Sequence, residues 1–436
     1  MLFRSKVFMK KLNIAIIGLG NIGSYLFKFL NENKKILTEK NNCTPVITYV
    51  CAKNRKKNRK IKIKKNQWLS NYLDATKLKD VDLVVELIGG SEGPAKKLVF
   101  NALKNKKHVV TANKALIAKY GDQLAKIAEN NKVNLEFEAA VCGGVPIIRS
   151  LKEGLIANKI SKIYGILNGT SNYILSSMSK KNKNFNEVLS DAKKLGYAES
   201  NPSADLNGDD VSSKLKILSS LCFNSFINHN IYVEGIKDID KNDIVNANKL
   251  GYKIKLLGYA ELLNNKINQR VHPTLIKKNS HIGDIDGVLN AVIVSGNPVG
   301  QSAIQGEGAG PSATTSALVS DISSILRGNI KFPFSLSEKE RKKLKSSNIA
   351  DLSFSAYLKF DFLDKPGVLS NITNIFSKNK VSIKRLVQDP NKGKKLSSII
   401  IITHSSKDRY LNKIVKQISK KTYIKKKPKL IRIDDN

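Results

Sequence analysis

A chain of 436 residues with 41% hydrophobic residues has room for two or three domains with ordinary cores. No apolar run approaches the roughly 18 residues that a membrane-spanning helix needs, so no membrane partner is expected. The formal charge of +39 invites a nucleic-acid reading, but Lys, Asn and Ile are abundant along the whole chain. The densest basic runs, 53–65 and 420–429, are neither an arginine-rich arm nor a nucleic-acid motif, so a solvated, compositionally biased surface is expected. Cys43, Cys51, Cys142 and Cys222 lack CxxC or zinc spacing and read as free thiols of a cytoplasmic protein. The opening MLFRSKVFMKK has no apolar stretch for an export signal, and it leaves Met1 and Met9 as alternative starts.

The first element is LNIAII (12–17), an apolar run that stops at glycine, as a buried parallel strand does. Amphipathic stretches then alternate with strand-like runs at 45–50, 82–88, 108–112 and 134–140. That alternation predicts βαβ units, a Rossmann domain over residues 1–137. Gly18-Leu19-Gly20-Asn21-Ile22-Gly23 follows the first strand and opens a helix. Glycines at this spacing permit a tight turn, close approach of backbone to a pyrophosphate, and close helix–strand packing. The second strand decides between two nicotinamide cofactors. NAD sites place an acid at its end, whereas Cys51-Ala52-Lys53-Asn54-Arg55-Lys56 contains none. Lys53 and Arg55 would hold a 2′-phosphate, so NADP is expected, with NAD the alternative.

Residues 138–330 mix strands such as KIYGIL (162–167) with helical patterns at 185–195 and 208–223, a central α+β domain. Within them Ala192–Lys214 reads AKKLGYAESNPSADLNGDDVSSK. A helix ends there at Gly196, and a following helix puts Asp210 and Lys214 on one face. By itself such an i,i+4 pair is an ordinary surface feature. The whole segment, however, resembles the homoserine dehydrogenase signature at Ala192, Gly196, Tyr197, Asn201-Pro202, Asp205-Leu206, Gly208, Asp210 and Lys214. Segments 86–90, 109–114, 137–146, 167–173 and 306–310 resemble the same family in the same order, so that the resemblance covers residues 12–330.

The resemblance implies interconversion of L-homoserine and L-aspartate 4-semialdehyde. Lys214 is the implied proton donor and acceptor at the C4 oxygen, and Lys114 assists it or contacts the cofactor. Glu199 and Asp210 are the implied holders of the substrate ammonium, with Asp205 in support. Glu138 and the carbonyls of Val141, Gly143 and Val145 are the implied ligands of a monovalent cation, sodium by its preference for oxygen. Gly306 and Gly308 would approach the nicotinamide. Glu307 departs from the small residue or proline usual there, and Cys142 from the usual alanine. A lysine between carboxylates suits aldehyde reduction, and burial beside a second lysine would lower its pKa into a useful range. The five histidines are scattered and suggest no catalytic role.

GNIKFPFSLSEKERKKLKSSNIAD (328–350) reads as an exposed, charged linker, residues 331–350 of the domain division. The last 85 residues or so look independent: a strand at 352–363, a helix after Asp364-Lys365-Pro366-Gly367, strands at 381–388 and 396–404, a helix at 407–419 and a strand near 424–432. The order β-α-β-β-α-β is ferredoxin-like, and LDKPGVL resembles the start of an ACT domain, here 351–436. That resemblance implies an amino-acid effector, threonine in this pathway, and a homodimer or homotetramer. The competing readings are another Rossmann dehydrogenase with a similar tail and a non-catalytic sensing or nucleic-acid-binding protein. The first lacks its usual His/acid pair with an arginine. The second has no need of both lysines and the acids together.

Overall fold

The computed structural model describes residues 10–390 and 396–435; the alternative starts Met1 and Met9 lie outside them. The first unit contains β1 (Lys10–Ile17), α1 (Asn21–Glu32), α2 (Lys34–Asn41), β2 (Cys43–Cys51), β3 (Leu83–Glu86), α3 (Pro94–Lys104), β4 (His108–Thr111), α4 (Lys114–Asn131) and β5 (Leu135–Glu136). Its strands form one parallel sheet in the order β2-β1-β3-β4-β5. Alternate residues of β1 enter different cores, Ala15 and Ile17 on one face, Ile14 and Ile16 on the other. A strand covered on both faces must be apolar at successive positions, which is why LNIAII does not alternate.

The second unit runs through α5 (Ile147–Arg149), β6 (Lys159–Ile166), α6 (Gly169–Lys181), α7 (Phe185–Lys194), α8 (Ser203–Asn207), α9 (Asp209–Cys222), β7 (Tyr232–Val233), α10 (Lys241–Lys249), β8 (Tyr252–Leu263), β9 (Lys266–Lys277), β10 (Leu289–Asn297), β11 (Gly300–Glu307) and α11 (Pro311–Leu326). Asn264 and Asn265, both at positive φ, join β8 to β9 in a two-residue hairpin turn, a conformation asparagine tolerates well. Helix α11 returns to the first unit, where Leu318, Ile322 and Ile325 share a core with Leu26 and Phe27 of α1. The third unit holds β12 (Lys345–Ser346), β13 (Ser353–Leu363), α12 (Val368–Lys378), β14 (Ile383–Pro390), β15 (Leu396–Thr403), β16 (Ser406–Lys407), α13 (Asp408–Ser419) and β17 (Lys429–Ile433). Apart from short β12 and β16, it has the expected β-α-β-β-α-β order.

Three expectations are corrected. The strand foreseen at 134–140 keeps only Leu135 and Glu136, and Glu138–Ala140 form a turn of 3-10 helix. The Glu138 carboxylate accepts the backbone N–H of Ile148 and Arg149 at 2.9 and 2.7 Å, which draws the chain inward. The C-terminal unit is not independent of the centre: β17 pairs parallel with β9, Arg432 opposite Thr274, and one sheet runs β11-β10-β6-β8-β9-β17-β13-β15-β14. The segment 328–350 is exposed over much of its length, as expected, but it is not a free linker. Phe334 is fully buried against Phe137, and Arg341, 4% exposed, reaches the Ser225 carbonyl at 2.8 Å and pairs with Asp122. Its charges suggested exposure, but a guanidinium with an acid and carbonyls around it can be buried.

Candidate active site

At the glycine turn the three glycines differ in what surrounds them. Gly18 has φ +107, and a Cβ there would lie 2.5 Å from the Leu87 carbonyl; at Gly23 a Cβ would lie 2.0 Å from the Gly18 oxygen. Both are required by packing. A Cβ on Gly20 would meet nothing within 4 Å, so this position is open towards whatever occupies the groove. Gly20 caps α1 without a side-chain hydrogen bond, which leaves the first N–H groups from Asn21 and Ile22 available to an anion. Residues around the turn line a cavity of about 380 Å³ with Lys57, Asn58, Arg59 and Lys60. Lys53 and Arg55 are exposed and do not line it, although Arg55 stacks over Trp68. Arg59 sits closer to the turn: its Nε donates to the Leu19 carbonyl at 2.8 Å, and it too lies over Trp68. Arg59 is not among the residues expected from the end of β2, because the chain loops back to the turn only eight residues after that strand.

The loops after β3 and β4 are tied together. Buried Glu86 accepts the N–H groups of Ile88 and Gly89 and the Thr111 hydroxyl at 2.8, 2.9 and 2.6 Å. Asn113 caps α4 through Leu116 N–H and donates to the Gly90 carbonyl at 2.7 Å. These bonds set Lys114 at the first position of α4, aimed over the central unit.

A cavity of about 620 Å³ lies between the two units, and it brings together Ile22, Lys114, Gly143, Glu199, Asp205, Asp210, Lys214 and Gly308. Gly306 stands two residues back on β11, beside Gly144. Helix α9 starts after Gly208 at φ +89 and carries Asp210 and Lys214 one turn apart. Lys214 Nζ lies 2.8 Å from Asp210 Oδ2 and donates to the Leu167 carbonyl at 2.6 Å. Lys114 Nζ is 3.0 Å from the other oxygen, Asp210 Oδ1. Asn168 Nδ2 donates to Asp210 at 2.9 Å and to Asp205 at 2.7 Å. Asn168, which also caps α6, is a site residue that sequence reasoning left without a role; an asparagine ahead of a helix reads as a cap and nothing more. Glu199 is exposed on the rim.

The electrostatics overturn one expectation. Burial pushes the Lys214 pKa down, but the Asp210 carboxylate, followed by smaller anionic contributions, more than offsets it, and the net shift is upward. Lys114 lies across Asp210, on its other oxygen, and does not reverse that net shift. For Asp210, burial works upward, while Lys214 and Lys114 together hold its carboxyl below the usual range. Asp205 shifts upward through burial and then the Asp210 charge. Glu138 is pushed up to about 7 by burial, which its bonds to Arg149 and Ile148 N–H only partly offset.

Residues 18–138 match the family model described as homoserine dehydrogenase, NAD binding domain; 146–323 match homoserine dehydrogenase; and 358–425 match an AHAS small subunit-like ACT domain. The homoserine dehydrogenase of Neisseria gonorrhoeae is 38% identical over 98% of this chain and 99% of its own length. That of Bacillus subtilis is 34% identical over 98% and 99%. The crystal structure of a homoserine dehydrogenase from Thiobacillus denitrificans superposes with a TM-score of 0.92 at 37% identity, covering 98% of this chain and 99% of that one. With relatives 34–38% identical over nearly its whole length and the two homoserine dehydrogenase models matching residues 18–138 and 146–323, this chain belongs to the homoserine dehydrogenase family.

Proposed function

We propose that the chain interconverts L-homoserine and L-aspartate 4-semialdehyde, with Lys214 as the proton donor and acceptor at the C4 oxygen. The observation that carries this is the buried Lys214–Asp210 pair on the wall of the cavity between the two units. A bound nicotinamide supplies or takes the hydride at C4. Lys214 spends two of its N–H donors on Asp210 and Leu167, and the third is left for the substrate oxygen. Its raised pKa keeps the proton on it until an alkoxide develops, an acid strong enough for that oxygen alone. Lys114 adds a second positive charge from the opposite side of Asp210. Asp210 is already engaged by both lysines and Asn168, so Glu199 and Asp205 take the larger share of the substrate ammonium. Gly308 lines the cavity where the nicotinamide end of the cofactor would lie, with Gly306 two residues back; a Cβ on Gly308 would stand 2.2 Å from the Asn290 side chain, so packing requires that glycine as well.

NADP is the proposed cofactor: β2 ends without an acid, and Arg59 with Lys57 and Lys60 offers cations near the open side of Gly20. Lys53 and Arg55 would add charge from further out. Glu138 with the carbonyls of Val141, Gly143 and Val145 would hold a monovalent cation, sodium. They suit one: the Glu138 carboxyl is buried, Arg149 and Lys152 offset that burial only in part, and the donors are oxygen alone. Such a cation would keep Glu138 ionised and brace the turn under Gly308, whose carbonyl lies 2.8 Å from where a Cβ on Gly143 would stand. The units 1–137, 138–330 and 351–436, with 331–350 between them, would serve as cofactor, catalytic and ACT domains, threonine binding at the turn before α12. A homodimer or homotetramer in the cytoplasm fits four free, buried cysteines and helices among the described residues too short or too polar to cross a membrane.

The test is absorbance at 340 nm with L-homoserine and either NADP or NAD, on the wild type, Lys214→Ala and Arg59→Ala. Turnover that disappears in Lys214→Ala, and an NADP preference that shrinks in Arg59→Ala, are the expected results. Turnover by Lys214→Ala at the wild-type rate would end the assignment of Lys214, and no turnover with either cofactor would end the dehydrogenase reading.

A further inference from the structure

Asn290 lies on β10, opposite Gly306 of β11, and its side chain is wholly buried. Neither its Oδ1 nor its Nδ2 has a hydrogen-bond partner among the described residues. A side-chain amide both donates and accepts, and leaving both atoms unmet in a buried place is costly. The Cys142 thiol is close. Burial raises its pKa, and Lys214 and then the Asn290 amide offset that in part, yet the pair does not complete a hydrogen bond. A Cβ on Gly308 would stand 2.2, 2.2 and 2.4 Å from Cγ, Oδ1 and Nδ2 of Asn290. Those distances are nearly equal, so the flat face of the amide lies against Gly308. Two turns of the catalytic cavity meet in front of it. Gly144 N–H donates to the Glu307 carbonyl at 2.9 Å, and a Cβ on Gly143 would lie 2.8 Å from Gly308 O and 3.2 Å from Ala309 N. Cys142 and Gly143 of one turn, with Glu307 to Gly310 of the other, line the cavity that holds Lys214. The N–H groups of Gly308 and Ala309 donate no hydrogen bond among the described residues. An unmet acceptor and unspent donors therefore lie side by side, and a peptide rotation at Gly308, which glycine permits, joins them.

We propose that Asn290 is a positioning residue for hydride transfer, latching the 308–310 turn against the 142–144 turn when the nicotinamide cofactor is bound. Its Oδ1 accepts an N–H from Gly308 or Ala309, and its Nδ2 turns to the Cys142 sulfur, a weak acceptor. The latch fixes the wall against which the nicotinamide lies, and with it the distance from the hydride to C4. A displacement of about 1 Å at such a place costs up to about 100-fold in rate. Asn290 itself touches neither substrate nor cofactor, because it stands behind Gly308 and not among the residues that line the cavity. In the free protein its amide makes no bond, so the latch stabilises the loaded form alone. This role rests on the dehydrogenase reading.

Asn290→Ala and Asn290→Val both remove the amide, the second with a better strand former. Each full-length protein is melted with and without NADP, titrated with NADPH by its fluorescence, and assayed with L-homoserine. Without NADP, both variants melt within about 3 °C of the wild type or above it, because no hydrogen bond is lost. NADPH affinity falls about threefold or more in both, and saturating NADP raises their melting points less than it raises that of the wild type. The kcat falls about tenfold or more, while KM for L-homoserine stays within a factor of about two. An Asn290→Ala protein that melts more than about 5 °C below the wild type without NADP has lost a bond made in the free state, and the latch is overturned. It is overturned equally if both variants keep kcat and NADPH affinity within a factor of about two, or if only KM for L-homoserine changes. A wild type that binds NADP and turns over no L-homoserine would strike the dehydrogenase reading instead, and the melts and titrations would then judge Asn290.

Discussion

Replacing Asp210 with asparagine keeps the shape of the side chain and removes one charge from a site that holds two lysines. In the wild type Asp210 is 6% exposed and Lys214 8%, so their 2.8 Å contact is shielded from water. Removing one partner of such a pair costs about 3–5 kcal/mol, because the other charge stays buried without compensation. Lys114 adds less than about 1 kcal/mol, since its side chain is 42% exposed and water screens it. Lys214 has an escape, which is to give up its proton; at pH 7, against its ordinary value of 10.5, that costs about 5 kcal/mol and caps the penalty. The sign of the pH dependence follows. In the wild type the Lys214 pKa is raised, so its stabilisation is fully present below 10.5 and is lost only as pH rises through the higher folded value. In Asp210→Asn the largest upward cause is gone, burial is opposed only by the smaller contributions of Cys142 and Asp205, and the folded pKa is expected to fall below the ordinary value. The gap between the two proteins therefore widens as pH falls from 10.5, by up to about 1.4 kcal/mol per unit, until Lys214 is protonated in the variant as well. Guanidinium unfolding followed by circular dichroism from pH 6 to 10 measures the gap. A variant within about 1 kcal/mol of the wild type at pH 7, with no change across that range, would refute the reasoning.

The same raised pKa predicts that kcat/KM for aldehyde reduction stays flat up to the ordinary lysine value of 10.5, and that Asp210→Asn brings the basic limb below it; a stopped-flow pH profile reads both limbs, and coincident limbs count against Lys214 as the donor. Gly20→Ala and Gly23→Ala separate binding from folding: the first adds a methyl to open space and should weaken cofactor binding with melting almost unchanged, while the second collides with Gly18 O at 2.0 Å and should impair both. Nucleotide titration by fluorescence together with a thermal melt checks this, and equal damage to stability in the two variants is the contrary result. Arg341→Met should destabilise the protein by about 3 kcal/mol in urea unfolding, because Asp122 and the Ser225 carbonyl lose a buried partner; a loss under about 1 kcal/mol would mean that the 328–350 segment is not held by it.

Local patterns in the sequence were enough to indicate the parallel sheet, the glycine turn and the helix carrying Asp210 and Lys214. Each depends on neighbours within a few residues: an apolar run ended by glycine, glycines at fixed spacing, an i,i+4 pair. What surrounds those groups was decided at long range. That Lys114, from the first unit, reaches the opposite oxygen of Asp210, and that Asn168 bridges two acids, follows from how separate loops meet. So does the upward shift of Lys214, where the sequence reading expected the reverse: burial and an opposing charge act against each other, and only the distance between them says which wins. The displacement of the cations near Gly20 from 53–55 to Arg59 came from the path of a loop that no periodicity describes. Charge density misled at 328–350, because it counts ions without showing their partners; at the C-terminal unit the β-α-β-β-α-β order suggested a closed domain, and the pairing of β17 with β9 across more than 150 residues lies beyond any local pattern. A sequence specifies which residues can bury or bond; the folded chain fixes which of them meet.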